Sequence, residues 1–135
     1  MKTQRETFRK SEKLCSRKII TLLFEEGNIF YLPMYKIVWK KGPLPEPVPA
    51  QVAFSVPKKI FRLAVTRNLI KRRLREAYRK NKHQLYSFLA SENITVAFIV
   101  ILRDNSVPSY KEVEISTNSM ILRLIEEIKK YETVR

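Results

Sequence analysis

Arg67, Lys71, Arg72, Arg73, Arg75, Arg79, Lys80 and Lys82 place eight cations within sixteen residues, against the single acid Glu76. They leave +7 locally, half of the chain's formal +14. At about 3.6 residues per helical turn, Arg67, Asn68, Lys71, Arg72, Arg75, Arg79 and Lys82 share one side, while Ile70, Leu74, Ala77 and Tyr78 share another. The chemistry open to such a ridge is electrostatic: it neutralises phosphates and releases their condensed counterions. A merely solvated helix carries acids one turn away from its bases, and here they are nearly absent. Arginine outnumbers lysine in the stretch, and its planar guanidinium suits bidentate contact with phosphate. The partner is therefore read as RNA. Lys58 and Lys59, just ahead of the helix, extend the patch. Arg5, Arg9, Lys10, Lys13, Arg17 and Lys18 offer a second, weaker one that reads equally well as a solvated face.

Other chemistry lacks its parts. General acid–base cleavage of RNA uses two positioned proton carriers, yet His83 is the only histidine and lies in the basic stretch, where it reads as a solvating side chain. A two-metal site needs clustered carboxylates; Asp104 is the only aspartate and the glutamates are scattered or on the terminal helices. Gly27 and Gly42 are the only glycines, too few for a glycine-rich phosphate loop. Cys15 falls on an apolar stripe and reads as a small buried hydrophobe. The residues describe an RNA binder with no catalytic residue and no metal site of its own.

The whole chain agrees. Its 135 residues, 44% of them hydrophobic, suffice for one domain with a real core. That apolar content argues against disorder despite the charge. A single cysteine excludes a disulfide framework and fits a reducing compartment. The charged N-terminus does not resemble a signal peptide, and the longest apolar run, Val96 to Leu102, is too short to cross a bilayer. These features predict a soluble cytoplasmic protein with an anionic partner and no membrane association.

The elements that must position the ridge follow from periodicity. Residues 1–10 are polar and basic, and are expected to form a mobile arm. Ser11 is the expected cap of a first helix ending at Gly27, with Cys15, Ile19, Leu22 and Leu23 on its core stripe. Ile20 and Phe24 lie about 100° round from that stripe, as core margin or as the wall of a groove. Met34 to Lys41 alternates as a strand, with Tyr35, Ile37 and Trp39 on one face and Lys36 and Lys40 on the other. The proline-rich loop GPLPEPVP leads to a second strand, Ala50 to Val56, and a hairpin is the simplest pairing. Thr66 is the expected cap of the basic helix, which continues through Leu85 and Leu89 with a break near Asn81. Ser91 to Asn93 form a turn. Ile94 to Leu102 reads as a strand buried on both faces. Ser109 and Glu112 form a capping box for a last helix whose core stripe is Val113, Met120, Ile121, Leu124, Ile125 and Ile128. The order α-β-β-α-β-α predicts a single α+β domain over residues 1–135, with helices packed on a small mixed sheet.

The segment from Ala53 to Arg79, AFSVPKKIFRLAVTRNLIKRRLREAYR, resembles the signature of the protein subunit of bacterial ribonuclease P. That family has a strand ending in a Ser-x-x-Lys-Lys-like segment, then Ala-Val-x-Arg-Asn, then Lys-Arg-x-x-Arg on a helix. Here Ala64, Val65, Arg67, Asn68, Lys71, Arg72 and Arg75 occupy those positions. The order of elements also agrees, including the Ser109–Tyr110 opening of the last helix. The resemblance implies an α/β sandwich with a left-handed β-α-β crossover, against the usual right-handed rule. It implies a holoenzyme that removes the 5′ leader from precursor tRNA, in which a large catalytic RNA performs metal-dependent hydrolysis. The protein would bind that RNA through Lys58, Lys59, Arg67, Asn68, Lys71, Arg72, Arg75 and Arg79. A groove between the first helix and the sheet would hold the single-stranded leader, at Ile20 and Phe24 on the helix and Lys36 and Val38 on the strand. The divalent metal, magnesium on this reading, would belong to the RNA-containing holoenzyme, with no cofactor on the protein alone and no obligate protein partner. Three positions depart from the family pattern: Leu69 replaces a frequent arginine, Pro57 a frequent serine and Ile20 an aromatic. A ribosomal or ribosome-assembly protein would share the size and charge, but would not need an apolar groove beside Ile20 and Phe24.

Overall fold

The computed structural model describes residues 7–134. A 3-10 turn, Lys10–Glu12, precedes α1 (Arg17–Glu26), β1 (Asn28–Tyr31), β2 (Tyr35–Lys41) and β3 (Ala50–Ser55). Then come α2 (Ala64–Asn81), α3 (His83–Glu92), β4 (Val96–Leu102) and α4 (Tyr110–Val134). The sheet order is β1-β2-β4-β3. β1 and β4 each pair antiparallel with β2, and β3 pairs parallel with β4. β2 and β3 therefore do not form the expected hairpin. The proline-rich loop carries the chain past the position that β4 later fills. β4 takes the centre because its run VAFIVIL is apolar on both faces.

Each face of the sheet has its own core. Tyr35, Ile37, Trp39, Val52, Phe98 and Val100 meet the buried sides of α2, α3 and α4. On the opposite face Val38, Ala97 and Ile99 pack with Leu14 and Leu23, which bring α1 down onto the sheet. α2 buries Ile70, Leu74, Ala77 and Tyr78, the four residues that its spacing predicts. α4 opens with the predicted box: the Ser109 N–H donates to Glu112 Oε1 at 2.9 Å and the Glu112 N–H to Ser109 Oγ at 3.2 Å. Its buried stripe holds Val113, Met120, Ile121, Leu124 and Ile128, with Thr117 in place of the half-buried Ile125. The Thr117 hydroxyl is satisfied by Tyr35 Oη at 3.0 Å.

Several local expectations change. Ser16, not Ser11, caps α1: its Oγ accepts from the Ile19 N–H at 3.3 Å. Cys15 therefore precedes the helix and is exposed, and Leu14 takes the buried place. α2 begins at Ala64 with Leu63 as its cap residue, two residues before Thr66. No side chain caps it; instead Arg67 Nη1 donates to the carbonyls of Phe61 and Arg62 at 2.8 and 2.9 Å. From Thr7 onward the N-terminal segment is docked, with the Phe8 ring edge-on to Tyr78 at 5.6 Å and to Phe54 at 6.3 Å. The rest of the expected arm, Arg5 included, lies outside the described residues.

Candidate RNA interface

The cations in and around α2 take different roles, and Lys80, though exposed, lies 3.9 Å from Glu76 Oε2. Lys58, Lys59, Asn68, Arg72 and Arg75 are exposed and Lys71 is half-exposed. Arg67 is tied to backbone carbonyls at the start of its own helix. Arg79 grips Glu76 through two bonds, Nε to Oε1 at 3.0 Å and Nη2 to Oε2 at 2.7 Å. That contact holds the Glu76 carboxyl below its usual range. Arg73 reaches away from the ridge to the Pro108 carbonyl at 2.6 Å, joining α2 to the start of α4. Lys82 leaves the ridge altogether. At the α2–α3 junction it is only 3% exposed, with its ammonium on Glu12 Oε1 and on the Thr7 carbonyl. The open cationic surface is thus narrower than the sequence count: Lys58, Lys59, Lys71, Arg72 and Arg75, with Asn68 among them.

A second surface lies where α1 crosses the sheet. Leu23 points down, and Gly27 sits so close that an added Cβ would lie 2.7 Å from Val38 Cγ1 and 2.3 Å from the Leu23 carbonyl oxygen. Only glycine permits that approach. One flank of α1, with Ile19 and Leu22, faces Lys40, Ala97 and the loop at Leu44 across a cleft of about 420 Å³. Ile20 and Phe24 are therefore turned to the other flank. The sheet beneath that flank presents Tyr31, Lys36, Ile101 and Ser55, one residue from each strand in register. Ile20 is half-buried against the core of this face, whereas Phe24 is 61% exposed and is not core. Lys36 is half-exposed on the expected face. Val38 shares that face but is 1% exposed beneath α1, so it packs the floor rather than lining open space. At its β3 end this trough leads through Pro57 into Lys58 and Lys59, and so into the ridge of α2.

Sequence reasoning missed β1, and with it Tyr31. It also missed a buried network of Glu12, Lys82 and Tyr86, whose partners lie about seventy residues apart. Burial pushes the Glu12 carboxyl up, but hydrogen bonds from Lys82, Tyr86 and the Arg9 N–H outweigh it and leave the carboxyl below 4.5. His83 is half-buried and lines a small cleft with Arg9, Glu12, Lys82 and Tyr86. Among the described residues, no three His, Cys, Asp or Glu side chains are grouped where they could hold a metal ion.

The family model for ribonuclease P matches residues 8–125. The chain belongs to the ribonuclease P protein family. The ribonuclease P protein component of Porphyromonas gingivalis is 37% identical over 117 residues, covering 85% of this chain and 84% of that protein. That of Chlorobium phaeobacteroides is 33% identical over 120 residues, covering 78% and 79% respectively. Among solved structures, the Staphylococcus aureus RNase P protein superposes with a TM-score of 0.65 at 19% identity, over 85% of this chain and 95% of that one. The Thermotoga maritima protein gives 0.60 at 22%, over 86% and 96%. As a ribonuclease P protein the chain is part of an endoribonuclease holoenzyme, and its partner is the ribonuclease P RNA. The ribosomal alternative is set aside.

Proposed function

We propose that this ribonuclease P protein grips the catalytic RNA with the open side of α2. On the same reading, the 5′ leader of precursor tRNA lies in the trough between α1 and the sheet while the RNA cuts. The observation that carries the reading is the continuity of the two surfaces. Among the described residues no carboxylate pairs with Lys58, Lys59, Arg72, Arg75 or the half-exposed Lys71, and the row of Ser55, Ile101 and Lys36 runs away from them along the α1 side of the sheet. A cationic surface answers the charge of a folded RNA. A narrow trough with an aromatic wall answers the flat, unpaired bases of a single strand.

The protein contributes grip and position, and the hydrolysis is assigned to the RNA. Magnesium is assigned to the holoenzyme's RNA as well; among the described residues no three His, Cys, Asp or Glu side chains are grouped to hold a metal ion. The compartment is that of tRNA maturation, the cytoplasm; among the described residues no helix is long and apolar enough to cross a membrane. Reconstitution tests the reading. Precursor tRNA should be cut at the leader junction when the protein is added to a bacterial catalytic RNA at moderate salt, and should stay intact with the protein alone. Cleavage by the protein alone would overturn the division of labour.

A further inference from the structure

We propose that the trough does not end at Lys36 but continues onto Tyr31, which forms an outer stacking position for one further nucleotide of single-stranded RNA. The inference rests on the reading of the trough as the leader's path. Tyr31 is the last residue of the edge strand β1, on the α1 side of the sheet, directly opposite Lys36. It is 53% exposed, far more than a tyrosine that merely closes a core. Two cations attend its ring. The Arg103 guanidinium carbon lies 4.9 Å from the centroid and the Lys36 ammonium 5.9 Å. Arg103 is itself fixed, because its Nη1 donates to the Leu32 carbonyl at 2.7 Å. Neither cation has a carboxylate partner among the described residues. An exposed ring with cations beside it at an open sheet edge presents both halves of a nucleotide site, a π-surface for the base and a charge for the phosphate beside it. Ile29, two residues earlier on the same face and 51% exposed, supplies an apolar margin. An unpaired nucleotide is the occupant that this pairing of chemistries fits. A protein segment adding to the sheet edge would use the backbone of β1 and leave both cations unanswered.

The test compares Tyr31→Ala, Tyr31→Phe and Phe24→Ala in holoenzyme reconstituted with a bacterial catalytic RNA. Affinity is measured for precursor tRNAs with leaders of graded length, and for mature tRNA. Tyr31→Ala is expected to weaken binding by roughly five- to a hundredfold, the cost of one lost base–aromatic stack. The loss should switch on at one leader length and be absent for mature tRNA. Tyr31→Phe keeps the ring and should bind nearly as well as wild type. If Tyr31→Ala changes nothing while Phe24→Ala discriminates precursor from mature tRNA, the outer position is wrong and the groove stands. If neither variant discriminates, the groove reading fails and takes this inference with it. Equal loss on mature tRNA would assign Tyr31 to the fold or to the catalytic RNA, and would equally overturn the proposal.

Discussion

Two cations drawn into one structural role each show why charge alone does not define an interface. Lys82 is buried against Glu12, and breaking such a pair leaves an uncompensated charge in a low-dielectric site. Lys82→Met should therefore lower unfolding stability by about 3–5 kcal/mol in a denaturant titration. A pH signature accompanies it. The Glu12 carboxyl titrates lower in the folded protein than in the unfolded chain. Its contribution to stability is present above 4.5 and is lost as pH falls through the lower folded value. Glu12→Gln should flatten the acid side of the stability–pH curve; an unchanged slope there would show that the network does not hold the N-terminal segment. Arg73 makes the second case. Its bond to the Pro108 carbonyl predicts that Arg73→Ala costs stability, about 1–3 kcal/mol, more than it costs RNA affinity. Neither role was legible in the sequence, because both partners are distant in the chain and a lysine or arginine at helical spacing looks the same whether it faces water or a carboxylate.

Elements were readable where a periodic pattern ran long enough to decide a face. The eighteen residues of α2 fix Ile70, Leu74, Ala77 and Tyr78 as its seat, and the two-sided apolar run of β4 fixes it as the central strand. β1 has four residues and begins directly after Gly27, too short for alternation to stand out. The pairing of β3 was misread because a proline-rich loop shows where a ladder stops, not which strand the chain meets next. The start of α2 was misplaced because its stabilising contact is Arg67 on two carbonyls rather than a hydroxyl cap. For the interface, the element-level consequence is a separation of roles along one helix. Arg72→Ala with Arg75→Ala should leave the melting temperature unchanged, since both residues are exposed and off the apolar side. It should also make the plot of log affinity for the catalytic RNA against log salt shallower by about two contacts. A slope equal to wild type would move the RNA interface away from α2.

At the scale of the molecule, the sheet separates two kinds of work. The face covered by α2, α3 and α4 holds the larger core, and α2 turns its cationic side outward. The opposite face is covered by α1, by Leu14 ahead of it and by Leu44 of the proline-rich loop, and the trough lies beside α1 on the rest of that face. The sequence foretold that Phe24 leaves the core stripe, whereas Ile20 packs half-buried against the core as Ile19 does. It did not foretell that Val38 lies beneath α1, because the depth at which a helix seats depends on the contact between Gly27 and Val38, which no local pattern encodes.

The central claim, that this trough recognises the leader, is tested most directly by the ratio of holoenzyme affinities for precursor and mature tRNA. The catalytic RNA assembled with wild-type protein should prefer precursor. Phe24→Ala should reduce that preference by about 1–3 kcal/mol, through loss of precursor binding with mature tRNA binding unchanged. A ratio that Phe24→Ala leaves intact, or an equal loss of both ligands with a lowered melting temperature, would contradict it.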